Sequence, residues 1–456
     1  IYNQIINKDK NNFEANIGLA IIYFLENKVS DSTNLFKKLI AVYPNRVESY
    51  QNFSNILISQ NKFEEAIVCL LNAYKINNKN VKILENLCFL YYQLNNFYES
   101  KKFAKLAINL DFKNFFIYNI FGQIYSKEGE IDESIINFKL SIKFNKFFWP
   151  AYDNLLTIYE QVNNIKEFNK LLIKCNEIFK DKKNIFRLKY FESLLLFRNN
   201  EFSKSLSILK ENENKFDKKD AKYYQFFYDL LGKNYDKLKK YDLAFDAFNK
   251  RNVKILNLKE NKKFDKKILY NLIESYSNFF VKENINKYNL FNKIDNYPDP
   301  VFLVGFPRSG TTLLDTILRT HSHTIVLEEK PYISNVRDEF FKFNNNKISS
   351  LEKIDLDKIK DVRKNYFKNI KNFDEINFSK IIVDKLPLNI IEIGFIKRIF
   401  PKSKFILMMR HPVDSILSCF VTNFAVNEAM IHFLELNDAA KLYTEVFNLW
   451  KQYKKN

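Results

Sequence analysis

A period of 34 residues runs through the first half of the chain and restricts its fold more than any other feature. Laid down from Phe13 without gaps, successive units place Tyr23, Leu57, Tyr91, Tyr125 and Tyr159 at one position. Nine residues further on stand Ser32, Ala66, Ser100, Ser134 and Phe168, and four beyond those Phe36, Leu70, Ala104, Phe138 and Leu172. Small residues recur where two helices must approach, and large ones where they interlock. Turn-like stretches such as Gln60-Asn61-Lys62 and Leu94-Asn95-Asn96 separate the paired helical runs, and Pro44 ends the first unit. A single hairpin cannot bury its apolar face, whereas stacked hairpins bury a continuous core. The pattern predicts an α-solenoid in which the in-register aromatic positions are core.

Two looser units follow, around residues 186–212 and 225–252. The second carries Leu231-Gly232-x-x-Tyr235 and then Ala244-x-x-x-Phe248. With these the first half resembles tetratricopeptide-repeat proteins. The resemblance implies a concave, extended surface that binds a protein or peptide segment and does no chemistry itself. Residues 1–252 are therefore expected to form the repeat solenoid. Residues 253–299, polar, helical and ending in Pro298-Asp299-Pro300, are expected to be a connecting segment.

At 456 residues there is room for two or three domains, and 46% hydrophobic residues argue for a globular chain. The formal charge of +19 comes from lysines interspersed with Glu and Asp, with no block of five or six like charges. These read as solvated helix faces, not as a nucleic-acid arm. Cys69, Cys88, Cys175 and Cys419 form no CxxC pair and read as apolar core in a reducing, cytoplasmic setting. His321, His323, His411 and His432 lack metal-ligand spacing, so no metal is expected. No apolar run approaches the length of a transmembrane span. The opening on Ile1 is expected to lack a true N-terminus, so a lost signal peptide stays open.

Seven of the nine prolines and all four histidines lie after residue 297, where the helical repeat stops. Residues 300–306 (PVFLVGF), Ile381-Ile382-Val383 and residues 404–409 (KFILMM) are strand-like, each followed by a helical run. Strands alternating with helices predict an α/β domain with a parallel sheet over residues 300–456. Ligands on such sheets bind at the carboxyl ends of the strands, where the motifs below fall.

Gly305-Phe306-Pro307-Arg308-Ser309-Gly310-Thr311-Thr312 joins the first strand to its helix. Backbone N–H groups and a helix N-terminus converge on an anion in such a loop. A Walker loop needs lysine at 311, where this chain has threonine; Arg308 supplies a cation instead.

Pro-Arg-Ser-Gly-Thr-Thr is similar to the donor loop of sulfotransferases that use 3′-phosphoadenosine-5′-phosphosulfate (PAPS), and the resemblance covers roughly residues 298–450. Three further pieces extend it. Arg410 with Ser418, in Met409-Arg410-His411-Pro412-x-Asp414-x-x-x-Ser418, matches the pair that holds the 3′-phosphate. A guanidinium at a strand end and a hydroxyl on the adjoining helix suit a phosphate monoester. Protein-tyrosine sulfotransferases usually have another Arg where Val413 stands. In Glu328-Glu329, the position of Glu329 matches their general base, with Glu328 its rival. Arg or Gly often stands shortly before that acid, where this chain has Ile325-Val326-Leu327. In Asp384-Lys385-x-Pro387-x-Asn389, Lys385 matches the lysine that steadies the sulfonate and its leaving oxygen.

The resemblance implies PAPS as co-substrate, cradled by Arg308, Ser309, Gly310, Thr311 and Thr312, with Arg410 and Ser418 on the 3′-phosphate. Glu329 takes the acceptor's proton, and Lys385 and Arg308 steady the transferring group. Neither a metal nor a covalent intermediate is needed. The motif set looks most like protein-tyrosine sulfotransferases; a carbohydrate or small-molecule hydroxyl is the alternative. An inactive repeat scaffold and a P-loop nucleotide kinase are the rivals from other classes. Family members continue past the helix containing Trp450, so residues 1–456 alone are expected to bind PAPS weakly and turn over poorly.

Overall fold

The computed structural model describes residues 2–179, 185–215, 221–258, 261–285, 294–327, 329–343, 348–352, 354–370 and 379–455. The chain divides into two compact units, Ile1–Asn200 and Glu201–Asn456.

Among the described residues, the elements of the first unit are all helices. Helix α1 (Tyr2–Lys8) precedes hairpins α2 (Phe13–Leu25)/α3 (Val29–Val42), α4 (Val47–Ser59)/α5 (Phe63–Ile76) and α6 (Val81–Gln93)/α7 (Phe97–Leu110). Then come α8 (Phe115–Glu128)/α9 (Ile131–Phe144), α10 (Trp149–Gln161)/α11 (Ile165–Phe179) and α12 (Ile185–Arg198). The turn inside each hairpin is closed by one left-handed residue: Asn27, Asn61, Asn95, Gly129 and Asn163, spaced by the repeat. Asparagine tolerates positive φ better than other side chains, and glycine has no penalty there. Asparagine also caps helix N-termini, as Asn12, Asn80, Asn96 and Asn114 do. The small residues have a second use beyond close approach. Ser32, Ser100 and Ser134 each donate a hydrogen bond to the carbonyl 12 residues earlier, on Ala20, Cys88 and Gly122. The interlocking residues Phe36, Leu70, Ala104, Phe138 and Leu172 are all buried; Tyr23, Tyr91 and Tyr125 are only half-buried.

In the second unit, α13 (Phe202–Asn212), α14 (Ala221–Lys237) and α15 (Tyr241–Leu256) precede α16 (Lys266–Phe279) and α17 (Lys282–Ile285). The sheet follows: β1 (Val301–Gly305), α18 (Thr311–Arg319), β2 (Thr324–Leu327), α19 (Tyr332–Phe343) and α20 (Leu356–Lys368). It is completed by β3 (Ile381–Lys385), α21 (Ile393–Ile399), β4 (Phe405–Met408), α22 (Pro412–Val421) and α23 (Leu436–Lys455). All four strands are parallel, in the order β2-β3-β1-β4. Three of them coincide with the strand-like runs; β2, four residues long, is an addition.

Side chains alternate between the faces of a strand. Phe302 and Val304 enter the large core, with residues of α16, α19, α20, α21 and α23. Leu303, Val326 and Val383 pack on the opposite face against Leu314 and Leu318 of α18. Helix α16 is therefore more than a connector: Ile273 and Tyr276 lie in the core, and the Tyr276 hydroxyl donates to Glu392 Oε2 at 2.8 Å.

The last repeat-like hairpin, α14/α15, is tied to the end of α22. Arg251 is fully buried, pairs with Asp229 and donates to the carbonyls of Phe420 (2.9 Å) and Val421 (3.0 Å). Asn252 donates to the Phe420 carbonyl as well, and Phe245 stacks on Phe420. A guanidinium at the last carbonyls of a helix satisfies acceptors that have no partner within it.

Candidate active site

The loop after β1 is shaped by what its backbone must do. A Cβ at Gly305 would meet the Met408 carbonyl oxygen at 2.6 Å and Ser309 Oγ at 2.8 Å, so only glycine lets the loop fold back this closely. Gly310 has φ 103° and turns the chain into α18. Arg308 is also left-handed, with φ 68°, a conformation that costs a non-glycine residue about 1 kcal/mol or more. Ser309 is buried and its Oγ has no hydrogen-bond partner among the described residues. Such an orphan costs about 1–3 kcal/mol unless something arrives to satisfy it.

The end of β4 meets this loop. Arg308 Nε donates to Ser418 Oγ at 3.1 Å, and Arg410 Nη1 donates to the Arg308 carbonyl at 3.4 Å. Cys419 Sγ lies 3.4 Å from the Pro307 carbonyl oxygen. Both guanidiniums are exposed, and Arg410 has only a loose pairing with Asp414 at 3.7 Å.

The strand register brings the other two motifs together. Leu327 of β2 stands opposite Asp384 of β3, which carries Glu329 beside Lys385. Lys385 Nζ lies 2.5 Å from Glu329 Oε1 and 3.4 Å from Asp315 Oδ2. Its side chain is 6% exposed, that of Asp315 8% and that of Glu329 47%. Asp315, on α18, also accepts from Arg319 Nε at 2.5 Å. The ammonium is thus held from below by a buried carboxylate and presented to an accessible one. Asp384 faces the other way: Tyr366 donates to it at 2.7 Å, and burial pushes its carboxyl up to about 7. It anchors the β3 end and takes no part in the cavity.

The loop, Glu329 and Arg410 line one cavity of about 350 Å³. Arg308, Gly310, Thr311 and Thr312 form one side; Leu386, Pro387, Phe424 and Met430 add apolar surface. The volume is at the lower end of that of small-molecule sites. Glu328 lies outside the described residues. Among those described, no group of three His, Cys, Asp or Glu is placed to hold a metal.

Comparison with known proteins gives this site a family. Residues 300–455 match the family model described as Sulfotransferase family. They form a sulfotransferase-family domain. Residues 55–95 and 117–147 match models described as TPR repeat and Tetratricopeptide repeat. An uncharacterized protein of Aquifex aeolicus (strain VF5) is 28% identical over 213 residues, 45% of this chain and 27% of that protein. The BBSome complex member BBS4 of Bos taurus is 26% identical over 138 residues, 30% of this chain and 26% of that protein. The chain spans about a quarter of the length of these curated relatives. Among solved structures, a tetratricopeptide repeat protein from Parabacteroides merdae ATCC 43184 aligns at 16% identity and TM-score 0.45, covering 55% of this chain and 96% of that one. YrrB, a TPR protein with an unusual peptide-binding site, aligns at 17% and 0.33, covering 40% and 93%.

In the sulfotransferase domain, Arg308, Ser309, Gly310, Thr311, Thr312, Glu329, Lys385 and Arg410 lie at the carboxyl ends of the strands, and Ser418 of α22 joins them through Arg308. Asp315 went unnoticed, although an acid one turn into the helix after an anion loop, four residues before Arg319, is a readable signal. The apolar Phe424 and Met430 carry no such signal.

Proposed function

We propose that the sulfotransferase domain transfers a sulfuryl group from PAPS to an acceptor hydroxyl, most directly a protein tyrosine, with the repeats holding the protein partner. One observation carries the reading. The anion loop, with an orphaned buried hydroxyl and two exposed guanidiniums, shares its cavity with a carboxylate seated on a buried ammonium. The first half suits a donor with two phosphate groups; the second suits deprotonation of a hydroxyl beside a fixed positive charge.

PAPS supplies an activated sulfonate on a phosphate leaving group. Ser309 Oγ and the N–H groups of Gly310, Thr311 and Thr312 would hold its 5′ end. Arg410, Arg308 and Ser418 would hold its 3′-phosphate; the Arg308–Ser418 hydrogen bond favours placing Arg308 there. The rest is positioning and electrostatics, as in phosphoryl transfer. Glu329 accepts the acceptor's proton as its oxygen bonds to sulfur. A phenol, with pKa about 10, needs such a base near neutral pH. Lys385, which cannot turn away from Glu329 while Asp315 holds it, stabilises charge leaving with the phosphate oxygen. Thr311 in the Walker-lysine position speaks against a nucleotide kinase.

The test is transfer of radiolabelled sulfate from PAPS to tyrosine peptides and to glycans. Labelled tyrosine peptide, abolished by Glu329→Gln, supports the proposal. Labelled glycan alone would move the acceptor to carbohydrate, and no transfer to either would leave the scaffold reading.

A further inference from the structure

The first unit contains a groove of about 540 Å³ formed by three consecutive helices, α9, α10 and α11. Its walls carry Lys139 and Lys143 of α9, Lys146 of the following turn, and Lys170 and Lys174 of α11. All five are exposed, and among the described residues Glu167 is the single acid in the lining. Glu167 is engaged by Lys170 at 2.7 Å, and its carboxyl is held below the usual range by that hydrogen bond first, with Lys139 nearby adding to it. The floor is apolar: Ile142, Leu155 and Tyr159 are buried beneath the lysines.

A lysine-rich chain places lysine on many helix faces, so the repeat itself supplies the control. One repeat earlier, the positions equivalent to the five lysines hold Lys105, Asn109, Phe112, Ile136 and Leu140. Two repeats earlier they hold Leu71, Lys75, Asn78, Lys102 and Leu106, and three repeats earlier Lys37, Ala41, Pro44, Val68 and Asn72. No earlier hairpin pair gathers more than two lysines, so the five gathered here are specific to this one. They crowd like charges at one place, which costs stability unless an anion is bound.

We propose that this groove binds an acidic, extended peptide segment of a protein partner, with carboxylates on the lysine walls and apolar side chains against the floor. Charge complementarity chooses the occupant. An apolar floor walled by cations fits a segment that alternates acidic and apolar residues. It does not fit single-stranded nucleic acid, whose bases need exposed ring faces to stack on; Tyr159, the aromatic of the floor, is only 3% exposed. The inference rests on the reading of the repeats as a protein-binding scaffold and is independent of the transfer chemistry, so binding is measured without turnover.

The experiment is fluorescence anisotropy on the full chain with three labelled probes: a short peptide alternating glutamate with leucine, the same peptide with glutamine for glutamate, and a polyuridine oligonucleotide. The acidic peptide should bind, weaken as salt rises, and lose about tenfold in affinity in the triple variant Lys139→Gln/Lys143→Gln/Lys174→Gln. These lysines are exposed, and an unchanged melting temperature confirms that the variant is folded. Equal binding of the glutamine peptide, or acidic-peptide binding that the variant leaves intact, overturns the groove while sparing the scaffold reading. Binding of neither peptide overturns both. Oligonucleotide binding that the variant abolishes, without peptide binding, assigns the groove to nucleic acid and overturns the proposal.

Discussion

Replacing Lys385 with methionine removes one buried charge from the site while keeping the length of the side chain. Its ammonium lies 3.4 Å from Asp315 and 2.5 Å from Glu329. At an effective dielectric of about 20, a unit pair at the Asp315 distance attracts by about 5 kcal/mol, before the desolvation that both groups have suffered. Glu329 is half in water, so its contact adds about 1 kcal/mol at most. Removing one partner of a buried pair costs about 3 to 5 kcal/mol because the other is stranded. Asp315 keeps Arg319, which reduces the expected loss to about 2 to 3 kcal/mol. For a unit of this size that is a fall of about 5 to 10 °C in Tm, read by calorimetry. Sulfuryl transfer should lose about 100- to 1,000-fold in kcat, as when one preorganised charge-stabilising group is removed. Lys385→Arg should recover most of the stability and little of the rate. Unchanged Tm in Lys385→Met, or a rate within about tenfold of the parent, would refute the reasoning.

Ser309→Ala should act with opposite signs on stability and binding. Deleting an unsatisfied buried hydroxyl leaves the free protein as stable or more so, while 3′,5′-ADP or PAPS affinity falls about 10- to 100-fold by calorimetric titration. Arg251→Met strands Asp229, which retains Lys233, and the Val421 carbonyl at the end of α22, while the Phe420 carbonyl keeps Asn252. It should cost about 2 to 4 kcal/mol in urea unfolding. Asp384 gives a pH signature. Its native carboxyl stays protonated up to about 7, whereas in the unfolded chain it releases its proton near pH 4. The native state therefore holds the extra proton between those limits, and stability falls as pH rises through them, by about 4 kcal/mol at most. In Asp384→Asn that fall should be absent, and parallel pH curves for parent and variant would contradict it.

The solenoid was legible because each of its physical requirements repeats: Asn or Gly at the left-handed turn, Ser or Ala where a helix presses on a carbonyl, a large residue four positions on. The anion loop was legible because Gly305 and Gly310 are costly in a chain with seven glycines and have to be explained by close approach and positive φ. Strand β2 was not: Thr324-Ile325-Val326-Leu327 is too short for alternation to declare itself, and its partner lies more than 50 residues away. The same register pairs Glu329 with Lys385, so their ion pair is a property of the sheet and not of either motif. Arg251 illustrates the opposite failure. In a repeat it reads as a solvated cation, and only the fold reveals that it closes the end of α22.

The claim that the loop after β1 is a sulfonate-donor site is tested most directly by comparing 3′,5′-ADP with 5′-AMP in calorimetric titrations of the parent and Arg410→Ala. The parent should bind 3′,5′-ADP about 100-fold more tightly or better, since the 3′-phosphate meets a guanidinium, and Arg410→Ala should erase most of that preference. Equal affinities in the parent, or tighter binding of ATP with Mg²⁺ than of 3′,5′-ADP, would contradict it.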